Sequence, residues 1–129
     1  MSDEMTELKA FIRDFVRVHL EAVPPQLATS GKVHLEVWRS HEKQRPVGLE
    51  LDHSDHVNLW LVRMNVPRGL PDTIVSAQKE PKNKGWTDEA GKGANTNLSS
   101  YSQFRTKRIT RLSVRAIEDA RFVLESLLT

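Results

Sequence analysis

Four stretches of the chain carry residue types at spacings that chemistry uses. The first is GWTDEAGKGANTNLSSY, from Gly85 to Tyr101, with Gly91-Lys92-Gly93 at its centre. Glycine-rich loops cradle phosphates because backbone N–H groups approach closely and a lysine then meets the charge. That template is G-x-x-x-x-G-K followed by Ser or Thr, between a strand and a helix. Here five residues separate Gly85 from Gly91, and Gly93 stands where the magnesium-binding hydroxyl belongs. The dinucleotide fingerprint fails as well, since Gly91-x-Gly93 is not followed by a third glycine three residues on. The stretch reads as a loop whose glycines serve backbone turns.

The second is LDHSDHVN. Asp52, His53, Asp55 and His56 offer oxygen and nitrogen ligands, and His41 stands on the preceding polar connection. Zinc takes imidazole and carboxylate, but only from a framework that aims them at one point. Asp and Ser are also common turn residues, because their side chains bond nearby backbone. The turn is the preferred reading, with no metal and no cofactor. The third is Glu80-Pro81-Lys82, an E-x-K with Asp52 or Asp55 upstream. It resembles nucleases that hold magnesium between a carboxylate on one strand and an E-x-K pair on the next. Proline at the middle position argues against it, since it disrupts a strand interior. No G-x-S-x-G nucleophile elbow occurs. The chain reads as a binding protein more than as an enzyme, and no catalytic residue is assigned.

The fourth is a basic segment with interleaved aromatics. Lys79, Lys82, Lys84, Lys92, Arg105, Lys107 and Arg108 are placed to neutralise phosphates. Asn95 and Asn97 are placed to bond phosphates or base edges, and Trp86 and Tyr101 to stack on an exposed base. The expectation is a small binding module that contacts nucleic acid, DNA or RNA, through residues 79–108. The alternative is a protein-interaction or regulatory subunit whose basic loop docks on an acidic partner.

Charge distribution supports a basic surface. Met1–Trp60 holds ten acidic and seven basic residues, and Leu61–Thr129 holds seven acidic and twelve basic. The two halves therefore balance at −3 and +5, within a net charge of +2. There is no cysteine, which removes disulfides and thiolate chemistry and fits a cytoplasmic location. No apolar run approaches a membrane span, and the acidic MSDEMTELKA lacks the features of a secretory signal.

The elements that must position these residues follow from hydrophobic period. Apolar residues from Met5 to Val23 recur at helical spacing, so a helix is predicted over Asp3–Val23, capped by Ser2 and stopped by Pro24-Pro25. VHLEVW alternates, with Val33, Leu35 and Val37 on the main core side and Trp38 on the opposite face. VGLELD and VNLWLVRM are further strands, the latter central because both its faces are apolar toward its end and Trp60 reads as core. TIVSA is a short strand, followed by a long loop from Gln78 to about Arg108. ITRLSV is a last strand, and Arg115–Leu128 a closing helix. The predicted fold is one α+β domain over 1–129: a mostly antiparallel sheet of four to five strands, with both terminal helices on one face.

Overall fold

The computed structural model describes residues 3–31, 34–83 and 85–129. Its centre is one antiparallel sheet of seven strands in the order β1-β2-β3-β4-β7-β5-β6. The chain enters through α1 (Asp3–His19) and passes through β1 (Leu20–Ala22), β2 (Glu36–Ser40), β3 (Pro46–Glu50) and β4 (Val57–Val62). It continues through β5 (Val75–Pro81), β6 (Trp86–Thr87), a short 3-10 helix over Thr96–Ser100, β7 (Ile109–Val114) and α2 (Ile117–Ser126). The α+β class holds. The five longer strands are those expected, and the two additions, β1 and β6, are short.

The sheet's two faces are covered differently. Alternation puts Val47, Leu49, Val57, Leu59, Leu61, Leu112 and Val114 on one face, where they pack with Met5, Leu8, Ile12, Phe15 and Val16 of α1 and Ala120, Val123 and Leu124 of α2. Asp3 and Glu4 open α1 where the helix dipole favours negative charge. The opposite face carries Val37, Trp60, Val62 and Ile109, under Trp86, Leu98, Tyr101 and Phe104. Leu98 and Phe104 are fully buried. Burying such side chains contributes about 1.5–3 kcal/mol each, enough to hold an otherwise polar segment against the sheet. β4 lies between β3 and β7 and is buried along its whole length, apolar except for Asn58.

Four expectations are corrected. The first helix ends at His19, not Val23; Leu20–Ala22 instead pairs with Ser40–Trp38 as β1. Leu20 is buried and could serve either period, and the edge ladder wins. The second strand runs over Glu36–Ser40, and its faces are exchanged: Trp38 packs toward the helices, whereas Val37 and Leu35 pack under the covering segment. The register sets this, because Trp38 lies opposite Val47 on the helix side. TIVSA continues as β5 through Pro81, so residues 78–108 are not an unstructured loop. They form the end of β5, β6, a tight turn, the 3-10 helix and a series of turns before β7. The closing helix covers Ile117–Ser126, shorter at both ends than expected. Ser2, Val33 and Lys84 lie outside the described residues.

Candidate functional site

The covering segment is held by hydrogen bonds between buried polar side chains and distant parts of the chain. Asn95 caps the 3-10 helix, its side chain accepting from the Asn97 backbone N–H at 2.9 Å. Its Nδ2 donates to Glu50 Oε2 on β3 at 3.2 Å. Glu50 Oε1 also accepts from Trp60 Nε1 at 2.6 Å and from Asn58 Nδ2 at 3.2 Å. Asn58 Oδ1 in turn accepts from Ser113 Oγ at 2.6 Å. Asn97 ties the segment to residues 24–31: it accepts from Ser30 N–H at 2.8 Å and donates to Ser30 O at 3.0 Å. Gln26 and Leu27 N–H groups both donate to Ser100 O, and Ser100 Oγ donates to Ala28 O. Such groups must be paired once they leave water, and here the pairing fixes the layer.

These placements sort the expected contact residues. Lys79, Trp86, Asn95, Asn97 and Tyr101 are interior. Lys79 alternates in phase with Val75 and Ala77, so it points under β6, where its Nζ meets Asp88 Oδ2 at 2.7 Å. Only 1% of Lys79 is exposed, and it cannot serve as a phosphate contact. The lysine and two backbone N–H groups, of Lys92 and Ala90, hold the Asp88 carboxyl down at about 2. Trp86 is buried and donates Nε1 to Lys107 O at 2.6 Å, so it is not free to stack as expected. Tyr101 is buried beside it in the second core, and its phenol is pushed up by burial and by the Glu36 charge. Asn95 and Asn97 spend their side chains on the chain's own backbone and on Glu50.

Lys82, Lys92, Lys107 and Arg108 are exposed, and Arg105 is half-buried. Arg108 shares the Glu80 carboxylate with Arg63, at 3.0 and 2.7 Å. Lys92 stands beside the Asp88–Gly91 turn, where Gly91 takes a φ of 80° that favours glycine. That turn, not a phosphate, is what the Gly-Lys-Gly sequence serves.

An open cleft of about 430 Å³ lies between the 24–31 segment, the β5–β6 turn and the turns before β7. Leu27, Lys82, Asn83, Gly85, Trp86, Ser99, Arg105 and Thr106 line it, and none of these is acidic. Arg105 donates Nε to Ser99 O at 2.8 Å, and its Nη2, itself shielded from solvent, has no hydrogen-bond partner among the described residues. Thr106 adopts a φ of 63° at the rim, a conformation that costs a non-glycine residue about 1–3 kcal/mol. Leu27 is 56% exposed at its mouth. The sequence pointed to Lys82 and Arg105 but missed Leu27, Asn83 and Ser99. The available signal was one large apolar residue inside the polar QLATSGK.

The other two constellations do not assemble. His41 lies in the β2–β3 turn, at the Leu61–Val62 end of the sheet, whereas Asp52–His56 joins β3 to β4 at the Val57 end. His53 and His56 stack ring on ring at 4.4 Å, and His56 Nδ1 donates to Asp55 at 2.6 Å, which lowers the Asp55 pKa. No group of three or more His, Cys, Asp or Glu side chains suited to a metal occurs among the described residues. Glu80 and Lys82 follow Lys79, which pairs with Ile109, while Val57 pairs with Val114. Asp52 and Asp55 therefore stand at the opposite end of the sheet from the E-x-K pair. With about 3.3 Å of rise per residue, the length of β7 separates them by more than 15 Å. Pro81 itself is accommodated at the end of β5, beside the short β6.

The fold and site define an α+β protein whose single antiparallel sheet has helices on one face and a basic covering segment on the other. No protein-family model, no curated protein and no solved structure matches the chain. Among the described residues, no helix is long and apolar enough to cross a membrane.

Proposed function

We propose that the protein is a small cytoplasmic binding module that contacts nucleic acid through the cleft beside Trp86. One observation carries this reading: Lys82 and Arg105 converge on a concave surface whose described lining has no carboxylate. Exposed Lys107, one residue beyond Thr106, extends the positive rim. Exposed Leu27 supplies apolar surface against which a base or ribose packs. The Arg105 guanidinium lines the cleft wall and supplies positive charge toward a phosphate oxygen. The backbone contact is electrostatic, so it weakens as salt rises.

Fluorescence anisotropy with labelled mixed-sequence single-stranded DNA and RNA tests the proposal. With three participating cations, log affinity falls against log salt with a slope of about −2. Lys82→Glu combined with Lys107→Glu removes most of the binding while leaving the melting temperature unchanged, because both side chains are exposed. Absence of binding at about 50 mM salt, or binding that the double variant retains, overturns the proposal. Unlabelled polyglutamate is the second arm. If it competes as well as the oligonucleotides, the cleft takes an acidic protein segment instead.

A further inference from the structure

A second surface lies on the edge of the sheet, away from the cleft. β6 pairs with β5 only at Glu80 and Pro81, so Val75–Gln78 has β7 on one side and no strand on the other. The hydrogen-bond phase of this edge follows from the turn. Lys82 N–H donates to Gly85 O at 3.0 Å, and antiparallel bonds alternate along a strand. Even-numbered residues of β5 therefore turn N–H and C=O toward the β6 side, and odd-numbered ones toward β7. Ser76 and Gln78 thus direct two donors and two acceptors outward, and no backbone group outside the ladder bonds them among the described residues.

Natural sheets blunt such edges with lysine, proline, bulges or a covering loop. Val75-Ser76-Ala77-Gln78 carries neither lysine nor proline and no charge, and Val75 is 55% exposed. The ladder to β6 stops because the chain turns after Thr87: Asp88 N–H donates to Lys92 O and Gly91 N–H to Asp88 O. That turn stands beside the open edge. Ala77, Gln78, Asp88, Glu89 and Ala90 enclose a cleft of about 370 Å³, and Glu89 is exposed on its wall. At the other end of the edge, exposed Asp72 precedes β5. Arg111, cross-strand from Ala77, is not part of the cleft lining.

The geometry points to strand addition: β5 receives an extended peptide that hydrogen-bonds to Ser76 and Gln78 and places a lysine or arginine in the Asp88–Glu89 cleft. Main-chain bonds along an open edge provide affinity, and the cleft selects an alternate side chain. A second copy of the chain fits less well. β6 occupies the same edge of β5, so a two-fold pair through Ser76 and Gln78 would drive each β6 against the other copy's turn before β5. A peptide has no such attachment. Acidic residues at both ends of the edge favour a basic sequence.

The test is an amide-resolved NMR titration with the capped peptide Thr-Lys-Val-Lys-Thr. Shifts are expected at residues 75–79 and 88–90. The glutamate-for-lysine peptide, and one N-methylated at alternate backbone amides, should produce none. Glu89→Lys weakens binding about two- to fivefold, the range of an exposed ion pair. Gln78→Pro removes an outward donor without touching the β7 ladder and abolishes binding at unchanged melting temperature. If that variant does not fold, the N-methylated peptide on the unaltered protein decides. Shifts confined to other regions, equal shifts from the glutamate peptide, or undiminished binding by Gln78→Pro overturn the inference. Concentration-dependent shifts at Ser76 and Gln78 without peptide assign the edge to a second copy and overturn it too. None of these outcomes depends on whether the cleft beside Trp86 binds nucleic acid.

Discussion

Replacing Glu50 with glutamine should loosen the covering layer and leave the sheet beneath it intact. Glu50 Oε1 accepts from Trp60 Nε1 at 2.6 Å and Asn58 Nδ2 at 3.2 Å, and Oε2 accepts from Asn95 Nδ2 at 3.2 Å. Glutamine keeps one oxygen for Trp60 and Asn58 but turns an NH2 toward the Asn95 NH2. Two donors then face each other, and both remaining bonds lose their charged acceptor. A hydrogen bond to a charged group is worth about 1.5–3 kcal/mol, so the expected loss is about 2–3 kcal/mol. For a chain of this size that corresponds to a fall of about 10 °C in melting temperature. Asn95→Ala removes the same contact from the other side, together with a capping bond to Asn97 that cancels in a double-mutant cycle. The cycle should give a coupling of about 1 kcal/mol between Glu50 and Asn95. Hydrogen exchange should quicken at residues 96–104 before it does in β7. A melting change below about 2 °C, or a double variant additive within about 0.3 kcal/mol, would refute the idea that this contact holds the layer.

Two further outcomes follow from other contacts. The Asp88 carboxyl is held at about 2, chiefly by the Lys79 hydrogen bond, below the ordinary aspartate value of 3.8. A depressed folded-state pKa means that its stabilisation is present above the unfolded value and lost as pH falls from about 4 through about 2. Melting curves should therefore show the unaltered protein losing its advantage over Asp88→Asn across that window. An advantage that persists below pH 2 contradicts the assignment. Gly48 sits where a Cβ would come within 3.2 Å of Leu35 Cδ1 and Leu98 Cδ2, and 3.3 Å of Trp60 Cβ. Gly48→Ala should cost about 1–3 kcal/mol in denaturant titration by crowding Leu35, Leu98 and Trp60 in the second core. A neutral result would show that the layer yields freely there.

Much of the fold was legible because burial on the helix side imposes clean periods. Val47 and Leu49 alternate, β4 is apolar except at Asn58, and the buried residues of α1 keep helical spacing. The errors fall where two periods fit the same residues or where the second face intervenes. Leu20 suits either the helix or the edge strand. Val37 and Trp38 are both large and apolar, so alternation gives the pattern of β2 but not which phase faces the helices. The covering segment was misread as loop because its cores are single residues, Trp86, Leu98, Tyr101 and Phe104, separated by polar ones. Lys79 was misassigned because a charged residue in the inward phase of a strand reads as surface until its partner is known. Asp88, nine residues on, is brought to it only by the β5–β6 hairpin.

The same internal pairing decides how much positive charge the surface can offer. Seven cations between Lys79 and Arg108, all engaging phosphate, would give a salt slope of about −5 on a single strand. The fold withdraws Lys79 to Asp88 and engages Arg108 with Glu80, which also holds Arg63. Lys92 stands by the turn that borders the peptide edge and not in the cleft lining. Among the described residues Lys82, Arg105 and Lys107 remain, and the slope drops to about −2, or about −3 with Lys84 counted. A measured slope near about −4 would require Arg108 to leave Glu80 on binding and Lys92 to join from the far side of the hairpin. It would therefore place the nucleic acid across the hairpin and not in the cleft beside Trp86. Glu80→Gln separates the two cases: it frees Arg108, and should steepen the slope by about 0.7 only if a phosphate lies within its reach.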